Sequence, residues 1–399
     1  MIEVPADRNV VDRDVDVSMV IESRFVPLAE KFFRVFRSRR AGGGALAVFQ
    51  HGRRVLDIWA GTAGPGRPWR RDTMAMSYST GKGVAATVIH RLADRGLIDY
   101  DRPVADYWPE FATAGKESIT VRELLNHRAG LHRARGLVPG DGFLDHDTMA
   151  ATLAASPPDP RRHRSQGYHT VSFGPLVVEL AQRVTGTTFP DIVRTELGMP
   201  LDEADFWFQV PREHRHRIAP LFPTVRVAGL DFETFAARAG KYKGLNVLVD
   251  SIPEGLLRWQ NHPAVHDMVQ PGWNGVFTAR ALAKMYAALA NNGVIDGKQF
   301  LTAQTATHIA QMPPNSRSDY VIQLSPHHWL GYHRAMNRNP SASPGFGHYG
   351  TGGSGGLAFP DIGLSIAFVT NHLGNRMTAV GDLRLPTFTS MAYRIGSQY

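Results

Sequence analysis

Not one cysteine occurs among the 399 residues. Zinc–thiolate and iron–sulfur sites, thiol nucleophiles and a disulfide scaffold are thereby excluded, and any catalysis must use oxygen, nitrogen or carboxylate groups. No run of about 18 apolar residues is present, so no helix is expected to span a membrane. The compositional bias of a disordered or collagenous chain is also missing, with 43% hydrophobic and 20% charged residues. The opening residues Met1-Ile2-Glu3-Val4-Pro5 bring an acid where a secretory leader needs a basic stretch ahead of an apolar one, which points to a soluble, cytoplasmic chain.

What is present is a basic chain long enough for two lobes, able to bury roughly 75% of its unfolded surface. Lys+Arg 44 exceed Asp+Glu 36, a net charge of +8. The basic residues form only short clusters, at Arg37, Arg39 and Arg40, at Arg161, Arg162 and Arg164, and over 212–217. None is interleaved with aromatics as in an RNA-binding sheet, so no nucleic-acid partner is expected.

Phe25, Leu28, Phe32, Val35 and Phe36 recur at helical spacing and predict a helix over 22–40, with packing on a sheet preferred to lying on a membrane. Residues 45–50 and 54–59 flank His51-Gly52 and read as a hairpin. Helices are predicted over 81–95, 173–185 and 278–291, each stopped by Gly or Asn-Gly, and Thr120 with Glu123 has the spacing of a capping box. Between about 200 and 275 the pattern loosens into Pro-broken, aromatic-rich sequence suited to the wall or lid of a pocket. Strands return over 329–333, 355–359 and 364–371, with a turn at 360–363, and a helix over 377–395 that Pro386 interrupts closes the chain. Strands at both ends around a helical middle imply an α/β fold of the α+β type. One antiparallel sheet is built from both termini (1–78 and 276–399) and flanked by helices, with an inserted mostly helical lobe over 79–275 and the active site between the lobes.

Two serines compete as nucleophile. Gly352-Gly353-Ser354-Gly355-Gly356 matches the nucleophile-elbow pentapeptide, but a strand follows where an elbow needs a helix. The overlapping G-x-G-x-x-G over 350–355 fails as a dinucleotide fingerprint for the same reason. Ser79-Thr80-Gly81-Lys82, an S-x-x-K sequence at a helix start, sets Lys82 on the face of Ser79 where its amine can take the hydroxyl proton. The macrodipole disfavours a cation there, and the Ser79 N–H is free to bind an oxyanion. Of the seven lysines, only Lys82 has a serine three residues before it. His214 with His216, and His327 with His328, match no zinc spacing, so no metal or other cofactor is expected.

With these motifs in order, the chain resembles the serine β-lactamase and penicillin-binding-protein superfamily, in its class-C-like branch with the family VIII carboxylesterases. Tyr168-His169-Thr170 resembles the family's Y-x-N or Y-x-S motif, and His348-Tyr349-Gly350 its H-x-G triplet on a strand. Residues 124–131, Leu-Leu-Asn-His-Arg-Ala-Gly-Leu, resemble its L-L-x-H-x-S-G-L turn, held by Asn126 and His127, and 275–280 its glycine-to-helix entry. The resemblance implies a β-lactamase/transpeptidase-like fold, Ser79 as nucleophile and Lys82 with Tyr168 as the proton-handling pair. A nearby ammonium would favour a Tyr168 phenolate. It also implies substrate contacts from His348, Gly350 and Thr170, with the N–H groups of Ser79 and Thr351 as oxyanion donors. Thr170 in place of Asn and His348 in place of Lys weaken recognition of β-lactams.

The reading is a serine hydrolase cleaving small-molecule carboxylic esters of small or medium acyl chains through an acyl-enzyme, with homo-oligomerisation left open. Acyl transfer, β-lactamase or D-amino-acid peptidase activity, and a non-enzymatic penicillin-recognising protein stand as alternatives.

Overall fold

Small and large residues alternate over Ala45-Leu46-Ala47-Val48 within the strand Gly43–Gln50, and successive side chains on opposite faces set the layering of the molecule. In the computed structural model, residues 19–37, 42–163, 165–223, 226–227, 230–242, 244–313, 318–335, 344–374 and 382–398 are described. Leu46 and Val48 point to one face of the sheet and Ala45, Ala47 and Phe49 to the other.

The main sheet runs Val20–Ile21, Arg53–Gly64, Gly43–Gln50, Leu364–Thr370, Gly355–Phe359, Phe346–Tyr349, His333–Arg334, every neighbouring pair antiparallel, with Arg67–Pro68 added to Arg53–Gly64. The expected hairpin is there, longer than its hydrophobic alternation suggested. Its turn residues His51 and Gly52 both have positive φ, 49° and 75°, the geometry that continues the twist of the strands. The two ends of the chain meet where Ile366 lies opposite Val48.

Helices Val26–Val35 and Arg384–Gly396 cover the face carrying Leu46, Val48, Ile366 and Phe368. The first is shorter than the expected 22–40: Ser23–Phe25 is a separate 3-10 turn, and Arg39 and Arg40 lie outside the described residues. The last differs too. Pro386 sits in the first turn, where no backbone N–H has a helical partner to lose, so it does not interrupt the helix; Met377 is outside the described residues. The expected strand over 329–333 is reduced to the pair His333–Arg334, because Leu330 and Gly331 turn the chain with φ of 48° and 82°.

On the opposite face lies the alanine-rich helix Ala279–Ala290, capped by the Thr278 hydroxyl, which accepts from Ala281 N–H. It approaches closely because its neighbours are small: a Cβ on Gly356 would stand 2.5 Å from the Tyr286 ring. Ser365 Oγ ties sheet to helix by donating to the Ala283 carbonyl at 2.7 Å. Beyond it pack Thr80–Asp94 and Phe173–Thr185, and the capping box of Thr120 and Glu123 opens Val121–Leu125. A small antiparallel sheet of Ala75–Met76, Val276–Phe277 and Phe206–Trp207 joins the chain just before Ser79 to the 200–275 segment. That segment holds helices Phe232–Ala239 and Leu245–Asp250 around a minor core of Phe232, Ala236, Ala239 and Val249.

Phe32 is fully buried against Phe33, Phe36, Phe368 and Phe388, so it bolts the first helix to the sheet and to the last helix. Phe32→Ala is expected to cost about 3–5 kcal/mol in urea unfolding. A loss below about 1 kcal/mol, the scale of an exposed site, would show that this face is not part of the core.

Candidate active site

Ser79 stands at the N-cap of Thr80–Asp94, directly after Tyr78, which is held at φ 46° although it is not glycine. A bulky residue in this region carries strain that the surroundings must hold, here by burial of the ring and a 2.9 Å bond from Tyr78 Oη to Gln260 Oε1. Two glycines weaken the first turn as helix formers yet let it be wedged in place. A Cβ at Gly81 would meet the Pro271 carbonyl at 2.6 Å, and one at Gly83 the Tyr286 hydroxyl at 2.2 Å. Ser79 itself remains partly exposed.

Lys82 is brought beside it as the spacing predicts, one turn along the same face. Its Nζ lies 2.9 Å from Ser79 Oγ, 2.7 Å from the Thr170 carbonyl and 2.6 Å from the Gly272 carbonyl. The side chain is wholly buried, and among the described residues no carboxylate pairs with it. Desolvation therefore holds the amine well below the ordinary lysine value.

Tyr168 joins the pair. Its ring centroid is 5.0 Å from Lys82 Nζ, and Ser79 is among the groups that act on its phenol. Burial raises the Tyr168 phenol above its usual value and lowers the Lys82 amine below its own, which runs against the expected phenolate. The turn over Asn126 and His127 carries this loop, since His127 Nδ1 accepts from His169 N–H at 3.2 Å and the His127 carbonyl from Gly167 N–H at 3.0 Å. Asn126 Oδ1 also accepts from Leu330 N–H at 2.6 Å.

Phe346–Tyr349 supplies the third motif. His333–Arg334 pairs outside this strand only at Phe346 and Gly347, so His348 lies just beyond that pairing and is registered on its inner side with Gly356. Its ring is 2% exposed, faces His333 and Tyr168, and bonds through Nδ1 to the Tyr349 carbonyl at 3.0 Å, with Nε2 buried and unpartnered. Burial keeps it well below the usual histidine value, hence uncharged. Gly350 brings the strand end against the nucleophile: a Cβ there would stand 2.1 Å from the Ser77 carbonyl and 3.0 Å from Ser79 N. The N–H groups of Ser79 and Thr351 make no hydrogen bond among the described residues. Thr170 presents its carbonyl to Lys82, whereas its hydroxyl is engaged with Ser251 Oγ at 2.7 Å. Ser354 is buried at the start of Gly355–Phe359, its Oγ accepting from Thr370 N–H at 3.1 Å.

Gly272 escaped the sequence reading, because a backbone carbonyl has no side-chain signature. Asn274 did too, although the Pro-Gly turn before it was a signal. Its amide reaches the carbonyls of Phe208, Val265 and Met268 and so fixes the loop that aims Gly272 at Lys82. The His327-His328 pair is split, with His328 buried against Tyr168, and no metal-holding group of three His, Asp or Glu occurs among the described residues. A cavity of about 910 Å³ with Asp250, Asp319 and Tyr320 in its wall lies beside the Tyr168 loop, but Ser79, Lys82 and Tyr168 do not line it.

A family model described as Beta-lactamase matches residues 22–386. The chain belongs to the beta-lactamase family. It is 40% identical over 357 residues to the esterase/beta-lactamase LipL of Mycobacterium tuberculosis, covering 88% of this chain and 82% of that one. Among solved structures, a family VIII carboxylesterase superposes with a TM-score of 0.81 at 33% identity, covering 96% of this chain and 100% of that one. A penicillin-binding protein homologue from Caulobacter crescentus gives 0.79 at 31% identity, with the same coverage. This family member is thus a hydrolase of the esterase/beta-lactamase fold. No helix among its described residues is long and apolar enough to cross a membrane.

Several of its histidines are buried neutral: His90, His169 and His333 are pushed down to about 3 and His132 to about 4, from 6.5, by desolvation. Below 6.5 the unfolded chain binds protons that the folded chain refuses, so stability is full above that value and falls as the pH drops toward 3. The urea midpoint is expected to decline steadily between about pH 7 and 4. A flat midpoint over that range would contradict the neutral burial of these rings.

Proposed function

We propose that this protein is a carboxylesterase that cleaves esters of small or medium acyl chains through a Ser79 acyl-enzyme. The observation that carries the reading is the set of neighbours around Lys82 Nζ. A neutral amine has two hydrogens and one lone pair, and the Thr170 and Gly272 carbonyls can only accept. In the neutral form these carbonyls take the two hydrogens and the lone pair faces Ser79 Oγ at 2.9 Å, so the hydroxyl turns to it from the longer 3.3 Å contact it makes with the Gly272 carbonyl.

In this mechanism Lys82 takes the Ser79 proton as Oγ bonds to the ester carbonyl carbon, and the carbonyl oxygen becomes an oxyanion between the N–H groups of Ser79 and Thr351. Collapse breaks the bond to the leaving alkoxide, which receives the Tyr168 proton; Lys82 then restores the phenol. Water repeats the sequence on the acyl-enzyme, releasing the acid and the Ser79 hydroxyl. Gly350 admits the carbonyl close to the nucleophile. His348, uncharged, offers no cation to a lactam carboxylate, and the Thr170 hydroxyl is already engaged. These features support esters over lactams, as does the name of the family VIII carboxylesterase, while that of LipL, an esterase/beta-lactamase, supports ester cleavage without excluding lactams.

Ser79→Ala is expected to lose on the order of 10³ or more in kcat on p-nitrophenyl butyrate, whereas Ser354→Ala keeps most activity. The butyrate ester is expected to outrun both the palmitate ester and nitrocefin in kcat/KM. A phosphonate label on Ser354 would overturn the assignment of the nucleophile, and a nitrocefin rate equal to the ester rate would move the protein to the β-lactamase reading.

A further inference from the structure

We propose that His328, stacked on the Tyr168 ring, is a positioning residue for Tyr168 in delivering a proton to the leaving alcohol. The inference rests on the ester-cleaving reading above. The His328 and Tyr168 rings lie face to face, with centroids 5.3 Å apart and planes 7° from parallel. The other rings around Tyr168 meet it differently, His127 edge-on at 62° and His348 farther away at 6.4 Å. One flat plate therefore fixes the plane of the phenol.

The plate is held through its backbone and packed beside a buried acid. His328 Nε2 lies 3.6 Å from Asp319 Oδ2, and the other oxygen of that carboxylate accepts from Val321 N–H at 2.9 Å and Ile322 N–H at 3.1 Å. The Gln166 amide bonds both the His328 carbonyl at 3.2 Å and the Asn126 carbonyl at 3.1 Å. Gln166 is two residues before Tyr168, so the segments carrying the two rings are tied together as well. Asp319 is 1% exposed, and neither nitrogen of His328 makes a hydrogen bond. A buried carboxylate beside an imidazole of such sparse bonding costs stability compared with apolar packing. Its position against the reacting phenol gives a reason for it to be there.

The groups that face or act on Tyr168 are Ser79, Lys82, His127, His328, His348, Tyr349 and Asp319. Asp319 adds to the burial that keeps the phenol protonated. Geometry is the larger lever. The phenol must hold its O–H between Ser79 Oγ and the leaving oxygen, and a misplacement of about 1 Å is enough to cost on the order of 10² in rate.

Leaving-group dependence separates this role from a structural one. An alkyl ester needs its alkoxide protonated on departure, whereas p-nitrophenolate leaves without help. His328→Gln keeps a polar side chain toward Asp319 but cannot stack. It is expected to lose about tenfold or more in kcat/KM on methyl butyrate and less than about threefold on p-nitrophenyl butyrate. The double variant His328→Phe with Asp319→Asn keeps a flat ring and leaves no buried charge unpaired, and is expected within about threefold of the parent on both esters. Equal losses on the two esters, or a double variant as selectively impaired as His328→Gln, would overturn the proposal. Tyr168→Phe distinguishes the two levels. If it lacks the leaving-group dependence, the proton-donor reading of Tyr168 falls and this inference with it. If it shows the dependence and His328→Gln does not, only the positioning role falls.

Discussion

The burial of one amine organises the site. Lys82 Nζ is enclosed by two carbonyls and a serine hydroxyl, with no carboxylate among the described residues to stabilise its charge. An ammonium in that setting loses most of its hydration for three neutral acceptors, so burial lowers the amine well below the ordinary lysine value, as the proposed role of a base requires. The rest of the site serves that enclosure. Gly81 and Gly83 let the helix sink between the Pro271 carbonyl and Tyr286, Asn274 pins the loop that carries Gly272, and the Asn126–His127 turn sets the loop that carries Thr170. The same dry environment raises the Tyr168 phenol and lowers the His348 imidazole, so one physical cause shifts all three groups toward their neutral forms.

The fold makes the enclosure affordable. Both termini contribute to a sheet packed on two faces, aromatic-rich on the side of the terminal helices and alanine-rich on the side of Ala279–Ala290. Such a core can hold local strain in place, and Tyr78 at positive φ just before Ser79 is one instance. The close approach of Gly356 to Tyr286, and of Gly83 to the same tyrosine, brings helix, strand and nucleophile within reach of one another. A larger residue at any of these glycines would push the elements apart.

Much of this was legible in the sequence, because local signals and tertiary needs agree. The alternation over 45–50 and the His51-Gly52 turn gave the hairpin, Thr120 with Glu123 gave a helix start, and the S-x-x-K spacing put Lys82 beside Ser79 before any coordinates. What the sequence hid depends on long-range packing. The Gly272 carbonyl carries no side chain to read, and the stacking of His328 on Tyr168 joins residues far apart in the chain. Charge states misled for a related reason: an ammonium next to a tyrosine suggests a phenolate, but the depth of burial, which decides the matter, is a property of the folded molecule. Pro386 misled more simply, since its effect depends on which turn of the helix it occupies.

The most direct test of the account is the pH dependence of Ser79 phosphonylation by an uncharged fluorophosphonate, followed by mass spectrometry. A base already neutral near physiological pH gives a labelling rate that reaches its plateau well below 10.5, the ordinary lysine value, and Lys82→Ala removes the plateau. A rate that still climbs about tenfold per pH unit as it approaches the lysine value would show that Lys82 stays charged in the folded protein and would contradict the account.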